Sequence, residues 1–450
     1  MKGLETPGGR APSSSSARSW ITWVVASLFA ATLALAGAPT ADAQTQPNIL
    51  VVLTDDQPLE TSIATPRIAE WFADGGTEFT SAYVTDPLCC PSRASILSGR
   101  YPHNHGVEGN RPGQGKEDFD HELTIQGEIG DAGYRTGYVG KYQLEPRSAP
   151  GFDAYAITRG YFDRPLYTKK GRQGKVAYAP RFVFRRAGNF AERWSPEPWM
   201  IVVSPSSPHQ PNEPESRHLR EKFPWDRPPN VQAPPQEKPA YVEDSQTNPK
   251  DGAQLRQRQL RTLRSADDGF MGLVGRLTDL GQIESTVVIF LSDNGILWGQ
   301  HGLIGKHVPY QESVRVPAYA RGPGVPAGRS ERLVANVDLA PTLYRIAGVE
   351  PSYEVDGRDM LVGPARETLL LEHLREHVGG GGKVGLRGMP AWASLVSADD
   401  QYVAYESGEE ELYDLEADLF QLENLAPGAD LGAYRALLAE VRACAGEECP

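Results

Sequence analysis

Four short runs of this chain place reactive side chains at spacings that could do chemistry. Asp55-Asp56 directly follows the apolar, β-branched run Asn48 to Thr54, and Asp293-Asn294 follows the run Val287 to Leu291 one residue on. Between them lies Cys89-Cys90-Pro91-Ser92-Arg93, a thiol and a guanidinium four residues apart. Lys141 in GKY, His209 in SPHQP and Lys306 in HGLIGK add cations and a titratable imidazole. A hard divalent cation takes oxygen ligands, several of them carboxylates. Asp55, Asp56, Asp293 and Asn294 would supply these from two strand ends. Taken singly, TDD and SDNG also suit ordinary turns, which Asp and Asn favour. A free cysteine is commonly a small buried apolar residue, and a lone Lys or His is usually solvated. The pairing of the two acidic runs, each after an apolar strand and bracketing the cysteine segment, points instead to a metal site.

The elements that must hold these residues are legible from periodicity. Asn48 to Thr54, Thr136 to Val139, Met200 to Ser204 and Val287 to Leu291 are short apolar runs of the kind buried on both faces. Thr65-Pro66 supplies a cap and a first-turn proline for a helix that ends at Gly75-Gly76. Leu255 to Leu280 and Asp338 to Ala347 carry helical patterns, and a further helix starts at Ala94. Strands alternating with helices imply an α/β fold with a large, mostly parallel central sheet flanked by helices. Ligands in such sheets bind at the carboxyl ends of strands, where both acidic runs fall. Pro205 to Pro249 reads as a long irregular excursion. From about Ala391 the pattern changes to ASLVS, QYVAYES and EELYDL, a small antiparallel C-terminal subdomain closed by a helix at Leu431 to Val441. The expected divisions are a leader at 1–43, a catalytic domain at 44–385 and the antiparallel subdomain at 386–450.

Composition narrows the class. Hydrophobic residues make up 40% and charged residues 23%, which suits a globular protein. The formal net charge of −13 disfavours nucleic acid as a partner and requires local positive charge to draw in an anion. Lys2, Arg10 and Arg18 precede an apolar run from Trp20 to Ala38, and Ala41-Asp42-Ala43 is an A-x-A cleavage site. The chain therefore reads as exported, secreted or held at the envelope, with cleavage after Ala43 and no lasting membrane insertion. Of the four cysteines, Cys444 and Cys449 read as a small disulfide. Cys89 and Cys90 are left unpartnered.

Cys89-x-Pro91-x-Arg93, continued by Ala94 to Arg100, resembles the signature of the sulfatase family. The order of the TDD, GK, SPH, SDNG and GK motifs is similar to that family's. In it the first signature cysteine is oxidised by a formylglycine-generating enzyme, a transient partner, to Cα-formylglycine. The resemblance implies an alkaline-phosphatase-like fold and a sulfuric ester hydrolase. It implies a hydrated aldehyde at Cys89 that attacks the ester with one hydroxyl and expels sulfate with the other. It also implies Ca2+ held by Asp55, Asp56, Asp293, Asn294 and the modified Cys89. Arg93 would hold the formylglycine, Lys141 would contact nucleophile and sulfate, and Lys306 would be the second sulfate-binding lysine. His209 would protonate the leaving alcohol, and Asp293 would be the base. His103 and His105 in YPHNHG would be structural. Gln143 replaces a histidine that many sulfatases carry after the GK motif. That replacement, the doubled cysteine and GRYPHNHG resemble the N-acetylglucosamine-6-sulfatase branch and its extracellular heparan relatives. The likeness runs from Pro47 to about Ala426, including Val314 to Pro326 and Glu411 to Asp418. Phosphonate or phosphodiester hydrolysis on the same fold, and a non-catalytic exported glycan-binding protein, remain as alternatives.

Overall fold

The computed structural model describes residues 46–232, 237–377, 386 and 388–450; the expected leader lies outside them. In chain order the strands are β1 Asn48–Thr54, β2 Thr77–Tyr83, β3 Arg135–Gly140, β4 Ala154–Ile157, β5 Phe162–Thr168, β6 Gly171–Tyr178, β7 Trp199–Ser204, β8 Thr286–Ser292, β9 Leu297–Trp298, β10 Ile304–Gly305, β11 Ala318–Arg321, β12 Gly328–Ala335, β13 Leu369–His373, β14 Trp392–Val396, β15 Asp400–Tyr405 and β16 Glu410–Asp414. Ten of them form one mixed sheet in the order β12-β2-β11-β8-β1-β7-β3-β4-β5-β6. Its centre, β8-β1-β7-β3-β4, is parallel throughout. Antiparallel pairs flank that centre at β8–β11 and β4–β5.

The main helices are α1 Pro66–Ala73, α2 Cys89–Ser98, α3 Ala179–Trp194, α4 Pro249–Asp279, α5 Leu339–Ala347 and α6 Gly432–Val441. The sheet is covered on both faces, which is why the middle positions of β1, β7 and β8 are apolar without alternation. Ile49, Val51 and Leu53 of β1 join a core with Ile96 of α2 and Leu343 of α5. Leu50 and Val52 point the other way, into a core with Phe72 of α1, Phe184 and Phe190 of α3, and Phe270 of α4. A third core lies under the four-stranded antiparallel sheet β13-β14-β15-β16.

Several boundaries differ from the sequence reading, each for a physical reason. Helix α2 begins at Cys89, five residues before Ala94. Pro91 falls in its first turn, where the missing N–H would have no intrahelical partner. Helix α4 begins at Pro249, because Asn248 accepts the Lys250 N–H at 2.9 Å and proline fits the first position. The 205–249 excursion contains a 3₁₀ turn at Ser216–His218 and short helices at Pro229–Gln232 and Ala240–Asp244. The division at 385/386 is corrected: the antiparallel sheet takes its first strand, β13, from before it. That strand is fully buried, the Glu372 N–H donates to Thr85 O at 2.8 Å, and residues 46–450 pack as one compact unit. Cys444 and Cys449 are bridged, and Cys89 and Cys90 are free and buried.

The cap of α1 comes from elsewhere in the chain. Thr65 makes no side-chain cap bond. Asp267 of α4, fully buried, accepts the Ile68 N–H at 2.9 Å, Arg67 Nε at 2.9 Å and Arg264 Nη1 at 3.1 Å. One carboxylate thus ends one helix and ties it to another. Asp267→Ala strands three donors and is expected to cost about 2–3 kcal/mol, read as a lower denaturant midpoint at unchanged slope; an unchanged midpoint would refute the trans cap.

Glu312 supplies a pH signature. Burial raises its pKa from 4.5 to about 7, against the opposing hydrogen bond from Asn230 at 2.7 Å. Because the folded value lies above the unfolded one, the stability linked to this group is fully present below pH 4.5. It is lost as pH rises through about 7. Glu312→Gln is expected to flatten that part of the stability–pH curve, measured by thermal unfolding across the range.

Candidate active site

The site begins where β1 and β8 end side by side. Their register pairs Thr54 with Ser292, so Asp55 and Asp293 emerge together. The Asp293 N–H donates to Thr54 O at 3.1 Å, and the Asp56 N–H donates to Asp293 Oδ1 at 3.1 Å. Asp56 sits at φ +66°, a left-handed turn that Asp tolerates better than most residues. Asn294 Nδ2 donates to Asp56 Oδ1 at 2.8 Å. All four residues are buried.

Helix α2 brings Cys89 to this edge as its first residue. Cys89 Sγ lies 2.9 Å from Lys306 Nζ, 3.7 Å from Lys141 Nζ and 3.8 Å from Asp55 Oδ1. Lys141 Nζ donates to Asp55 Oδ2 at 2.5 Å. Lys306 Nζ contacts Asp56 Oδ1 and lies 3.1 Å from Asn294 Oδ1. Among the described residues, ligand atoms of Asp55, Asp56, Cys89 and His209 all lie within 4.8 Å of one another. His209 Nε2 is 3.9 Å from Asp56 Oδ2, and its side chain is 35% exposed, the open one of the group.

Arg93, one helical turn beyond Cys89, is wholly enclosed. Its Nε and Nη2 each lie 2.9 Å from Asp293 Oδ2. Its Nη1 donates to Lys141 O at 2.6 Å, Ser204 Oγ at 2.8 Å and Tyr138 OH at 3.2 Å. The guanidinium therefore clamps Asp293 and the backbone that carries Lys141. Gly140 precedes that lysine at φ +116°, where a Cβ would fall 1.9 Å from Ser204 O. Only glycine lets β3 pass so close to β7 and deliver Lys141.

The electrostatics follow from burying opposite charges together. Burial pushes Asp55 up, but Lys141, His209, Arg93 and Lys306 hold it well below the usual carboxylate range. Asp56 is likewise lowered against burial, chiefly by Lys306 and His209. Asp293 goes the other way, raised by burial and by the charge of Asp55. Burial would lower His209, and Lys141 opposes its protonation, yet Asp55 and Asp56 raise it to about 9. Burial, helped by the neighbouring Cys89, pushes the Cys90 thiol up to about 12, which leaves it inert at neutral pH.

The structure thus brings together Asp55, Asp56, Cys89, Arg93, Lys141, His209, Asp293, Asn294 and Lys306. His103 and His105 lie apart from this group. His103 Nδ1 is 2.7 Å from Glu372 and its Nε2 3.0 Å from Cys444 O, while His105 Nε2 is 3.0 Å from Ser95 Oγ. Gln143 takes a left-handed φ of +71°, and its Oε1 is buried with no hydrogen-bond partner among the described residues. Tyr138, Ser204 and Asn110, whose Oδ1 accepts the Cys90 N–H at 2.8 Å, were not singled out from the sequence. No motif marks them. A cavity of about 600 Å³ opens over the group, lined by Asn110, Arg111, His209, Lys306, His307 and His373 among others.

Comparison with known proteins places this arrangement. Extracellular sulfatase Sulf-1 homologs of Caenorhabditis elegans and Drosophila melanogaster are 32% identical over 380 and 345 residues, covering 73% and 70% of this chain. The chain spans 52% and 31% of their respective lengths. N-acetylglucosamine-6-sulfatase of Homo sapiens is 29% identical over 475 residues, covering 90% of this chain and 86% of that protein. The fold matches, at a TM-score of 0.77 and 20% identity over 88% of this chain and 96% of the other, a structure solved in complex with its substrate D-glucosamine-2-N,6-O-disulfate. The sulfatase family model matches residues 47–349, most of the described core and every residue of the buried cluster, and the chain belongs to the sulfatase family.

Proposed function

We propose that this protein hydrolyses sulfate monoesters on sugars, in the manner of an N-acetylglucosamine-6-sulfatase. The observation that carries the reading is the convergence of two ammonium groups, Lys141 and Lys306, on Cys89 Sγ at a helix N-terminus. Two cations beside one nucleophile position suit a trigonal-bipyramidal sulfuryl-transfer transition state, which carries negative charge on its equatorial and leaving oxygens. Similarity to N-acetylglucosamine-6-sulfatases over 90% of the chain supports the sugar assignment.

Cys89 Sγ marks the place of the formylglycine oxygens. Once modified by a formylglycine-generating enzyme, position 89 supplies a hydrated aldehyde whose hydroxyl is the nucleophile. The donor set fits Ca2+: Asp55, Asp56, Asp293 and Asn294 offer hard oxygens, and the Lys306 ammonium already meets two of them, Asp56 Oδ1 and Asn294 Oδ1. When bound, the ion supplies positive charge for a sulfate oxygen and for the oxygen at position 89. Lys141 and Lys306 hold the sulfate oxygens. Asp293, held by Arg93, is the proton acceptor for the hydroxyl at position 89. His209 Nδ1 is committed to Gln210 O at 2.7 Å, so Nε2 faces the cluster and carries the proton that can move. That nitrogen can give its proton to the leaving alcohol.

Residues 1–43 act as an export leader, and the mature protein is secreted or kept at the envelope. The disulfide Cys444–Cys449 and the extracellular relatives support this.

Cys89→Ala is expected to abolish turnover of N-acetylglucosamine 6-sulfate and of an aryl sulfate, by at least about a thousandfold, with the melting curve retained. Cys90→Ala is expected to stay within about threefold of the parent in kcat/KM, since its thiol is buried and protonated. Near-parental activity in Cys89→Ala, or equal loss in both variants, would overturn the assignment of the nucleophile.

A further inference from the structure

The chain is acidic overall, yet one stretch reverses the sign. Between Arg164 and Ala191 there are eight Lys or Arg residues and no Asp or Glu, in a protein of formal net charge −13. The first half of this stretch forms the β5–β6 hairpin, and the second is most of α3. Lys169, Lys170, Arg172 and Lys175 on the hairpin and Arg185 on α3 are exposed. Among the described residues, none of these five has a carboxylate within salt-bridge distance. A run of uncompensated like charge costs self-repulsion, so its presence on an anionic protein calls for an anionic partner.

The hairpin stands at the same edge as the catalytic cluster. Tyr167 of β5 pairs with Ile157, the last residue of β4, and with Arg172 of β6, so Arg172 lies level with the carboxyl edge of the sheet and Lys175 beyond it, while the Lys169-Lys170 turn heads back toward the amino edge. The segment leading into it is tied to the cluster's own loop: Tyr161 OH donates to His209 O at 2.7 Å, and the Gly160 N–H donates to Ser206 Oγ at 2.9 Å. Between the hairpin, α3 and α4 runs an open cleft of about 770 Å³, whose walls include Lys175, Arg181, Arg185 and Arg276. Its two acids are already neutralised: Glu215 by Arg181 at 2.9 Å and Arg217 at 2.8 Å, and Asp268 by Arg67, Arg217 and His218. Arg276 pairs with Glu192 at 2.6 Å, so Lys175 and Arg185 are the wall cations left without a carboxylate partner among the described residues, and they present positive charge to solvent.

We propose that this hairpin and cleft form an exosite for a polyanionic glycan. It would grip sulfated or carboxylated sugars several units away from the ester being hydrolysed. The inference rests on the sulfated-sugar reading above and adds chain length to it: the preferred substrate is a sulfated oligosaccharide or polymer, not a monosaccharide. The spacing argues for this. From β1, which carries Asp55, to β6 there are five strand steps, about 24 Å at roughly 4.8 Å each. One sugar ring cannot reach both places, whereas a short chain can. A nucleic acid or an anionic membrane is less suited to a protein of formal net charge −13, whose overall field repels an extended anionic surface.

The test is the triple variant Lys169→Ser/Lys170→Ser/Arg172→Ser, in the parent and in the Cys89→Ala background. In the inactive background, binding of a long heparin oligosaccharide at low salt is expected to weaken about tenfold, with a shallower dependence on salt. In the active background, kcat/KM on a 6-sulfated oligosaccharide is expected to fall about as much, while kcat/KM on N-acetylglucosamine 6-sulfate stays unchanged. Parental affinity and salt slope in the triple variant would overturn the exosite, whatever the catalytic result. Binding of single-stranded DNA or phosphatidylserine vesicles as tightly as heparin would overturn its assignment to glycans. Should the parent hydrolyse no sulfate ester, the sulfatase reading fails while the heparin arm still decides the exosite.

Discussion

Three carboxylates buried against one another at the ends of two adjacent strands are the constraint on which the rest of this structure depends. Asp55, Asp56 and Asp293 have almost no contact with solvent. Removing three charges from water is costly unless opposite charges and hydrogen bonds meet them. Arg93, Lys141 and Lys306 do so, each delivered by a different element: the second turn of α2, the end of β3, and the segment after β10. These elements cannot shift independently, because a displaced cation would leave a buried acid unpaired. The same charges that could bind an anion also hold the edge of the sheet together. Stability and chemistry are therefore coupled at this edge, and the parallel core beneath supplies the rigidity both need.

Around this fixed centre the structure distributes lighter duties. His209 sits on an irregular loop and keeps a third of its side chain in solvent, as suits a group that must exchange a proton. The antiparallel sheet contributes His373 to the cavity wall, and its own core packs against Tyr83, Tyr101 and Val337 of the main body. The disulfide loop at the C-terminus docks on the Pro102–His105 turn through Cys444 O, which His103 and Asn104 both contact. That turn follows α2 directly, so the far end of the chain braces the helix that presents Cys89.

The basic hairpin has a different logic. Lys169, Lys170, Arg172 and Lys175 are exposed and have no carboxylate partner among the described residues, so they add little to stability. They sit on an edge strand, where charge also discourages pairing with another chain. The buried cations at the centre are structural by necessity, whereas those on the hairpin are free to bind.

Much of this was legible locally. The residue types at 55, 56, 89, 93, 141, 209, 293, 294 and 306, the apolar strand runs before both acidic motifs and the α/β alternation all depend on near neighbours. A sequence carries such patterns by itself. It did not determine that Asp267 caps α1 across 199 residues, that Arg93 clamps Asp293 and the Lys141 carbonyl, or that Asn110 receives the Cys90 N–H. Nor did it place β13 with the antiparallel sheet, or Arg172 and Lys175 of the charge run at the catalytic edge. Those depend on strand register and on which buried donor finds which buried acceptor, and only the folded chain, by excluding water from both, decides the pairing.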